Sequence, residues 1–119
     1  MTNLTSTAPH IHNALTHDDL ADWGPQPDPI VPGSQNTGRL LHKGPDNQPE
    51  TGIWVCTPGT WPLSIPRDEF CHFVAGRATY TRDDGEIIDV TPDTCVLFPA
   101  GWTGRCTVHE TIRNISMLT

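Results

Sequence analysis

The stretch RDEFCHFVAGRATYTRDDG, residues 67–85, decides the fold of this chain. Its apolar and polar residues alternate with a period of two, as in a half-buried β-strand, and Asp84-Gly85 then indicates a tight hairpin turn. Similar short runs, separated by Pro- and Gly-containing turns, fill the chain from residue 52 onward. The eight predicted runs are 52–56, 60–65, 69–75, 77–82, 86–90, 94–98, 103–108 and 112–118. Strands this short and this closely spaced predict an all-β antiparallel sandwich or barrel.

The first 50 residues differ in composition from the rest. Four prolines lie within residues 25–32, and proline neither donates a backbone hydrogen bond nor fits a helix interior or a central strand. We therefore divide the chain into an N-terminal tail with a Pro-rich extended arm, residues 1–50, and a barrel, residues 51–119. Within the first part, residues 16–20 predict one helical turn and residues 39–42 predict an edge strand.

Charge and hydropathy exclude several classes of function. The 119 residues include 7 Lys and Arg against 14 Asp and Glu, a formal net charge of −7. This balance excludes the clustered basic residues that nucleic acids or anionic lipids require. No stretch reaches the roughly 18 apolar residues of a membrane helix, and the N-terminus lacks the basic and apolar regions of a secretory signal. We expect a cytoplasmic protein whose four cysteines are reduced, with neither nucleic acid nor membrane as a partner.

Four phrases of the barrel segment resemble a known family. They are GIWVCTPG at residue 52, the quoted stretch at residue 67, LFPAGWTG at residue 97 and IRNISML at residue 112. Together they resemble the small single-domain cupins, and most closely the subgroup similar to ureidoglycine aminohydrolase and the ethanolamine-utilisation cupin. The resemblance implies a jelly-roll barrel, a double-stranded antiparallel β-helix. It implies no single activity, because cupins carry many unrelated functions.

The cupin metal motif is largely missing. The spacing between Glu69 and Gly76 fits the motif, which places Glu69 at the metal-binding carboxylate. The three positions that hold histidine in the family are occupied instead by Leu63, Ile65 and Gly104. One carboxylate is too few ligands for a divalent metal. We therefore expect no metal and no other cofactor, with Glu69 as the only retained motif ligand.

Alternation along each strand selects the remaining site candidates. If Glu69 points into the barrel, Cys71 shares its face, whereas His72 points outward. Glu69 then either contacts a ligand or is a buried carboxylate satisfied by a tryptophan N–H or by backbone donors. The full set of ligand-binding candidates is Glu69, Cys71, Cys106, Trp54, Trp61, Trp102 and Arg113, the last as a counter-charge. For each tryptophan, simple packing in the core or at an interface is the alternative.

Three functions remain open at this point. The first is metal-independent binding of a small polar metabolite inside the barrel. The second is a metal-dependent enzyme, resembling an aminohydrolase or an isomerase, which needs a histidine from elsewhere, such as His42. The third is an accessory or assembly protein without a ligand, for which we expect a barrel filled solidly with side chains. Whether the protein is an enzyme at all stays open.

We also expect a homodimer. Small cupins commonly pair about a two-fold axis, and an antiparallel barrel has edge strands that need covering. The arm and outward residues such as Phe70 and His72 are predicted to contribute to the contact.

Overall fold

The computed structural model describes residues 8–119, and this range contains eight strands and one 3₁₀ turn. The strands are β1 (Ala21–Pro25), β2 (Gln35–Lys43), β3 (Glu50–Cys56), β4 (Gly59–Ser64), β5 (Glu69–Arg82), β6 (Ile87–Val90), β7 (Thr94–Phe98) and β8 (Thr103–Leu118). The 3₁₀ turn spans Pro45–Asn47. Every strand pairing is antiparallel. The predicted all-β jelly roll is confirmed.

The two longest strands, β5 and β8, join the two halves of the barrel. They pair with each other along their length. The first half of β8 also pairs with β4 and its second half with β3, while the first half of β5 pairs with β7 and its second half with β6. One wall therefore runs β1-β2-β3-β8-β5-β7, and the other runs β4-β8-β5-β6. The interior lies between these walls.

The predicted runs 69–75 and 77–82 form one continuous strand, as do the runs 103–108 and 112–118. We predicted a break at Gly76, but this residue bends β5 without ending it. Its φ is 87°, and a Cβ there would collide with the carbonyl of Thr111 on β8. Glycine is therefore required for the two strands to approach each other at the corner of the barrel.

The N-terminal part of the chain extends the first wall. β2 pairs with both β1 and β3, so residues 39–42 lie in a strand as predicted, but the expected edge position is wrong because β1 lies outside it. The predicted helical turn at residues 16–20 is wrong. The chain turns earlier, where Asn13 has a φ of 56° and its carbonyl accepts the Thr16 N–H at 2.9 Å. The predicted tail, residues 1–12, lies partly outside the described residues, and its division from the barrel stays a prediction.

Aromatic residues fill one end of the barrel. Tyr80 packs against Phe98 and Phe73, with ring centroids 4.9 and 5.8 Å apart, and Phe98 packs against Trp102 at 5.2 Å. All four are at most 2% exposed. The predicted turns Asp83–Gly85 and Pro99–Gly101 both lie at the surface. Within residues 8–119 there is no helix long and apolar enough to cross a membrane.

Candidate functional site

A cavity of about 290 Å³ lies at the other end of the barrel. Tyr80 and Phe98 form its floor, so it begins where the aromatic packing ends. Half-exposed Trp23 and Leu40 lie at its rim. Its walls carry polar and apolar side chains in turn, from Trp54 on β3, Trp61 and Leu63 on β4, Glu69 on β5, and Asn114 and Ser116 on β8. The volume is at the lower end of the range of about 300–1,000 Å³ typical of small-molecule sites.

Glu69, the first residue of β5, presents its carboxylate to this cavity. Its Oε2 accepts a hydrogen bond from the Cys71 thiol at 3.2 Å. Burial raises the pKa of the Glu69 carboxyl, and the negative charge of Glu50 adds to this, while the bond from Cys71 and the charge of Arg67 oppose it. We expected a ligand, a tryptophan N–H or a backbone donor as the partner of Glu69. The partner within the protein is instead a thiol two residues along the same face of the strand.

The two interior cysteines, Cys71 and Cys106, remain protonated thiols. Burial, reinforced by the adjacent Glu69, raises the pKa of Cys71 far above its ordinary value. Burial also raises the pKa of Cys106, to about 12. Because the thiolate is the nucleophile, neither cysteine is activated for nucleophilic catalysis. Cys71 acts as a hydrogen-bond donor to Glu69, and Cys106 lies beside Tyr80 in the core.

Two buried polar atoms on the cavity walls have no partner among the described residues. They are the Oδ1 acceptor of Asn114 and the Nε1 donor of Trp61, which has only the weakly accepting Cys56 sulfur near it. Both side chains line the cavity, and they are 1% and 4% exposed. A buried polar group left without a hydrogen bond costs about 1–3 kcal/mol. These atoms would be satisfied by a bound molecule that offers both a donor and an acceptor.

Trp54 contributes its ring to the cavity. Its Nε1 donates to Asn36 Oδ1 at 2.9 Å, and the same oxygen accepts a bond from Gln26 Nε2 at 3.0 Å. The Trp54 ring meets the Trp61 ring edge to face, with centroids 6.0 Å apart and planes at 81°. The indole is thus held in position by its N–H, and the two rings form a rigid aromatic corner.

Trp23 is a cavity residue that sequence reasoning missed. The register between β1 and β2 shifts between Asp22 and Gly24, which makes Trp23 the extra residue of a β-bulge. A Cβ on Gly38 of β2 would collide with the Trp23 ring, so the indole lies directly on that glycine. A glycine inside a strand indicates such a close approach, but the strand predicted here began at residue 39, so no such signal was available at Gly38. Asn114 was also missed.

Four of the predicted site residues do not line the cavity. Cys71 is buried beside it and is connected to it through its bond to Glu69. Trp102 is buried in the aromatic end, where its Nε1 donates to Glu86 Oε1 at 3.2 Å. Cys106 is fully buried in the core. Arg113 faces outward, because it lies between the inward-facing Ile112 and Asn114, and its Nη1 donates to the carbonyls of Ala14 and His17 at 3.1 and 2.9 Å. It fastens the N-terminal segment to the outer face of the barrel, and the structure gives it no contact with Glu69.

Comparison with known proteins identifies the family. Residues 43–115, more than half of the chain, match the EutQ-like cupin domain. The chain belongs to this family. The resemblance drawn from the sequence is therefore confirmed. No match is found among curated proteins.

Solved structures show the same fold in this EutQ-like cupin and in proteins of low sequence identity. A DUF861-family protein of unknown function from Pseudomonas syringae pv. tomato has a TM-score of 0.78 at 19% identity over 90% of this chain. The chain spans about half of that protein, 46% of its length. The EutQ protein of Clostridium difficile has a TM-score of 0.63 at 16% identity, covering 73% of this chain and 69% of that one. A DUF861-family protein from Thermotoga maritima has a TM-score of 0.55 at 25% identity, covering 56% and 76%.

The donor set of this cupin does not fit the metal that the fold commonly holds. Leu63 and Ile65 line the cavity as an apolar wall. Gly104 lies opposite Leu63 across β4 and β8, and a Cβ there would collide with the backbone of Thr81. Across residues 8–119, no three His, Cys, Asp or Glu side chains come together in an arrangement that could hold a metal ion.

The histidines considered from the sequence lie elsewhere. His72 Nε2 is 2.7 Å from Asp93 Oδ1, and His109 Nε2 is 2.9 Å from the Thr79 hydroxyl, both pairs at the surface. His42, on β2, is exposed and does not line the cavity.

Proposed function

We propose that this EutQ-like cupin binds a small polar metabolite inside its barrel, using its own side chains where other cupins use a metal ion. The observation that carries the proposal is the unpartnered, buried Asn114 Oδ1 on the wall of a cavity that also exposes Glu69. The cost of burying such an acceptor is offset once a ligand donates to it.

The two alternative functions have less support. A metal-dependent enzyme needs several imidazoles near Glu69, and among residues 8–119 no histidine lines the cavity that Glu69 lines. An accessory protein without a ligand predicts a barrel filled with side chains, whereas only the aromatic end is filled and the other end holds the cavity.

A metabolite screen by thermal shift tests the proposal. A ligand present at 100 times its Kd stabilises the folded state by about 2.7 kcal/mol, so polar metabolites of suitable shape should raise Tm. Leu63→Trp places a large ring in the cavity and should abolish the shift. Glu110→Gln, at an exposed site on the outer face of β8, is the control and should keep it. If the two variants retain the shift equally, the ligand lies outside the cavity and the proposal fails.

We also propose that the protein is a cytoplasmic homodimer. Phe70 on β5 is paired with Leu97 on β7 and with Met117 on β8, and the three are 47%, 64% and 46% exposed. They form an exposed apolar row across the outer face of the barrel. Burying such a row against a second chain is favourable because it removes apolar surface from water. The four cysteines are free, as a reducing compartment requires. Light scattering should give about twice the 13.1 kDa of one chain, and Phe70→Lys should reduce it to one chain. A monomeric wild type would contradict the dimer.

A further inference from the structure

We infer that the molecule bound in this cavity is a small protonated primary amine, held between the Glu69 carboxylate, the Asn114 amide oxygen and the tryptophan rings. This inference rests on the proposed function and specifies its ligand class. Charge, aromatic composition and hydrogen-bonding capacity of the walls each support it.

The cavity walls carry negative charge, and no positively charged side chain of the described residues lies on them. Glu50 and Glu69 both line it, and no Lys, Arg or His of residues 8–119 does so. Lys43 Nζ lies 3.6 Å from Glu50 Oε1, at the outer rim where both side chains meet solvent. The Arg67 guanidinium donates to the backbone carbonyls of Asn47 and Thr119. A cationic ligand would supply the missing positive charge, and an anion would be repelled.

The aromatic corner formed by Trp54 and Trp61 is also suited to binding a positive charge. Trp54 and Trp61 present two nearly perpendicular indoles to the cavity, and Trp23 adds a third at the rim. A cation within about 6 Å of an indole centre is attracted to the ring face, by up to about 2 kcal/mol when desolvated.

The hydrogen-bonding pattern favours an amine with N–H donors. An ammonium group offers donors and no acceptor. One oxygen of Glu69, Oε2, accepts from Cys71, and Oε1 makes no bond to another described side chain. Asn114 Oδ1 is a second acceptor without a partner. An ammonium can donate to Glu69 Oε1, Asn114 Oδ1 accepts from a second donor of the ligand, and the Trp61 N–H donates to an acceptor elsewhere on the ligand.

The titration of Glu69 should report on the bound cation. The titratable and charged groups facing it are Cys71 and Tyr80 on β5, Glu50 on β3 and Arg67 before β5. Its direct register partners on β7 and β8 are Phe98 and Leu118, and β8 also brings the uncharged Asn114 and Ser116 to the cavity. Burial raises the pKa of Glu69 and so favours the protonated carboxyl, which lacks the charge an ammonium needs. Amine affinity should therefore rise with pH through this transition.

The test is an NMR titration of the wild-type protein, following the indole N–H signals of Trp54 and Trp61. The probes are primary amines from methylamine to benzylamine, each with its alcohol and carboxylate counterpart, such as benzyl alcohol and benzoate. The best amine should bind about 10-fold or more tightly than both counterparts, because bonds to a charged partner contribute about 1.5–3 kcal/mol. Glu69→Gln should remove that preference, and Glu110→Gln should leave it unchanged.

The pH profile of the wild type is a second measurement that does not depend on a variant folding. Amine affinity should fall as the pH is lowered through the Glu69 transition, while alcohol affinity stays constant. If alcohols or carboxylates bind as tightly as amines, the inference of a cationic ligand is refuted, while the cavity is still a binding site. If no amine shifts the indole signals, the inference of an amine ligand is also refuted. The metabolite screen then decides separately whether the cavity binds any other molecule.

Discussion

Replacing Glu69 with glutamine should change the pH dependence of stability in a defined direction. In the folded protein burial raises the pKa of this carboxyl above its ordinary value of 4.5. The folded state therefore favours the protonated form, and the stability contributed by that proton is present below pH 4.5 and is lost as the pH rises through the folded pKa. Glutamine is uncharged at every pH and keeps an oxygen to accept the Cys71 thiol, so it avoids this loss.

The magnitude follows from the linkage between proton binding and folding. Each unit by which burial raises the pKa corresponds to about 1.4 kcal/mol of lost stability at neutral pH. Glu69→Gln should therefore equal the wild type in free energy of unfolding near pH 4 and exceed it at pH 7. For a domain of this size, each kcal/mol raises Tm by about 4 °C.

The assay is urea unfolding of the wild type, Glu69→Gln and Glu110→Gln at several values between pH 4 and 7. The Glu110 variant removes the same charge at an exposed position, where little change is expected. A difference between Glu69→Gln and wild type that stays constant or shrinks with pH would refute the reasoning, because the carboxylate would then not be desolvated. If Glu69→Gln changes stability but no binding, the carboxylate is structural.

Three further substitutions test the fold around the site. Gly76→Ala should destabilise the protein by at least about 1–2 kcal/mol in urea unfolding, because its φ of 87° disfavours a side chain and a Cβ meets the Thr111 backbone; wild-type stability would show that β5 does not bend there. Gly104→His should restore no metal site and should cost about 1–3 kcal/mol, since the new side chain collides with β5. Elemental analysis showing one bound divalent metal per chain would contradict this. Arg113→Ala should speed amide hydrogen exchange in residues 13–20 about 10-fold, and unchanged exchange would show that its two carbonyl contacts do not hold this segment.

The sequence alone determined that residues 52–118 form antiparallel strands, where the exposed turns lie, and the family, but not β1 or the continuity of β5 and β8. Alternation with a period of two is a local property of the chain, and so is the preference of Asp84-Gly85 for a tight turn. The cupin metal motif is likewise read from short spacings, so the absence of the family's histidines at residues 63, 65 and 104 was visible in the sequence.

Only the tertiary structure decided which side chains share the cavity. Trp23 reaches it because a bulge in β1 turns the indole over Gly38, and Asn114 becomes important because no described residue bonds its Oδ1. Arg113 is drawn outward to the N-terminal segment 96–99 residues away in the chain. Contacts of this kind depend on the register between distant strands, and local alternation carries no information about which residue of another strand lies opposite.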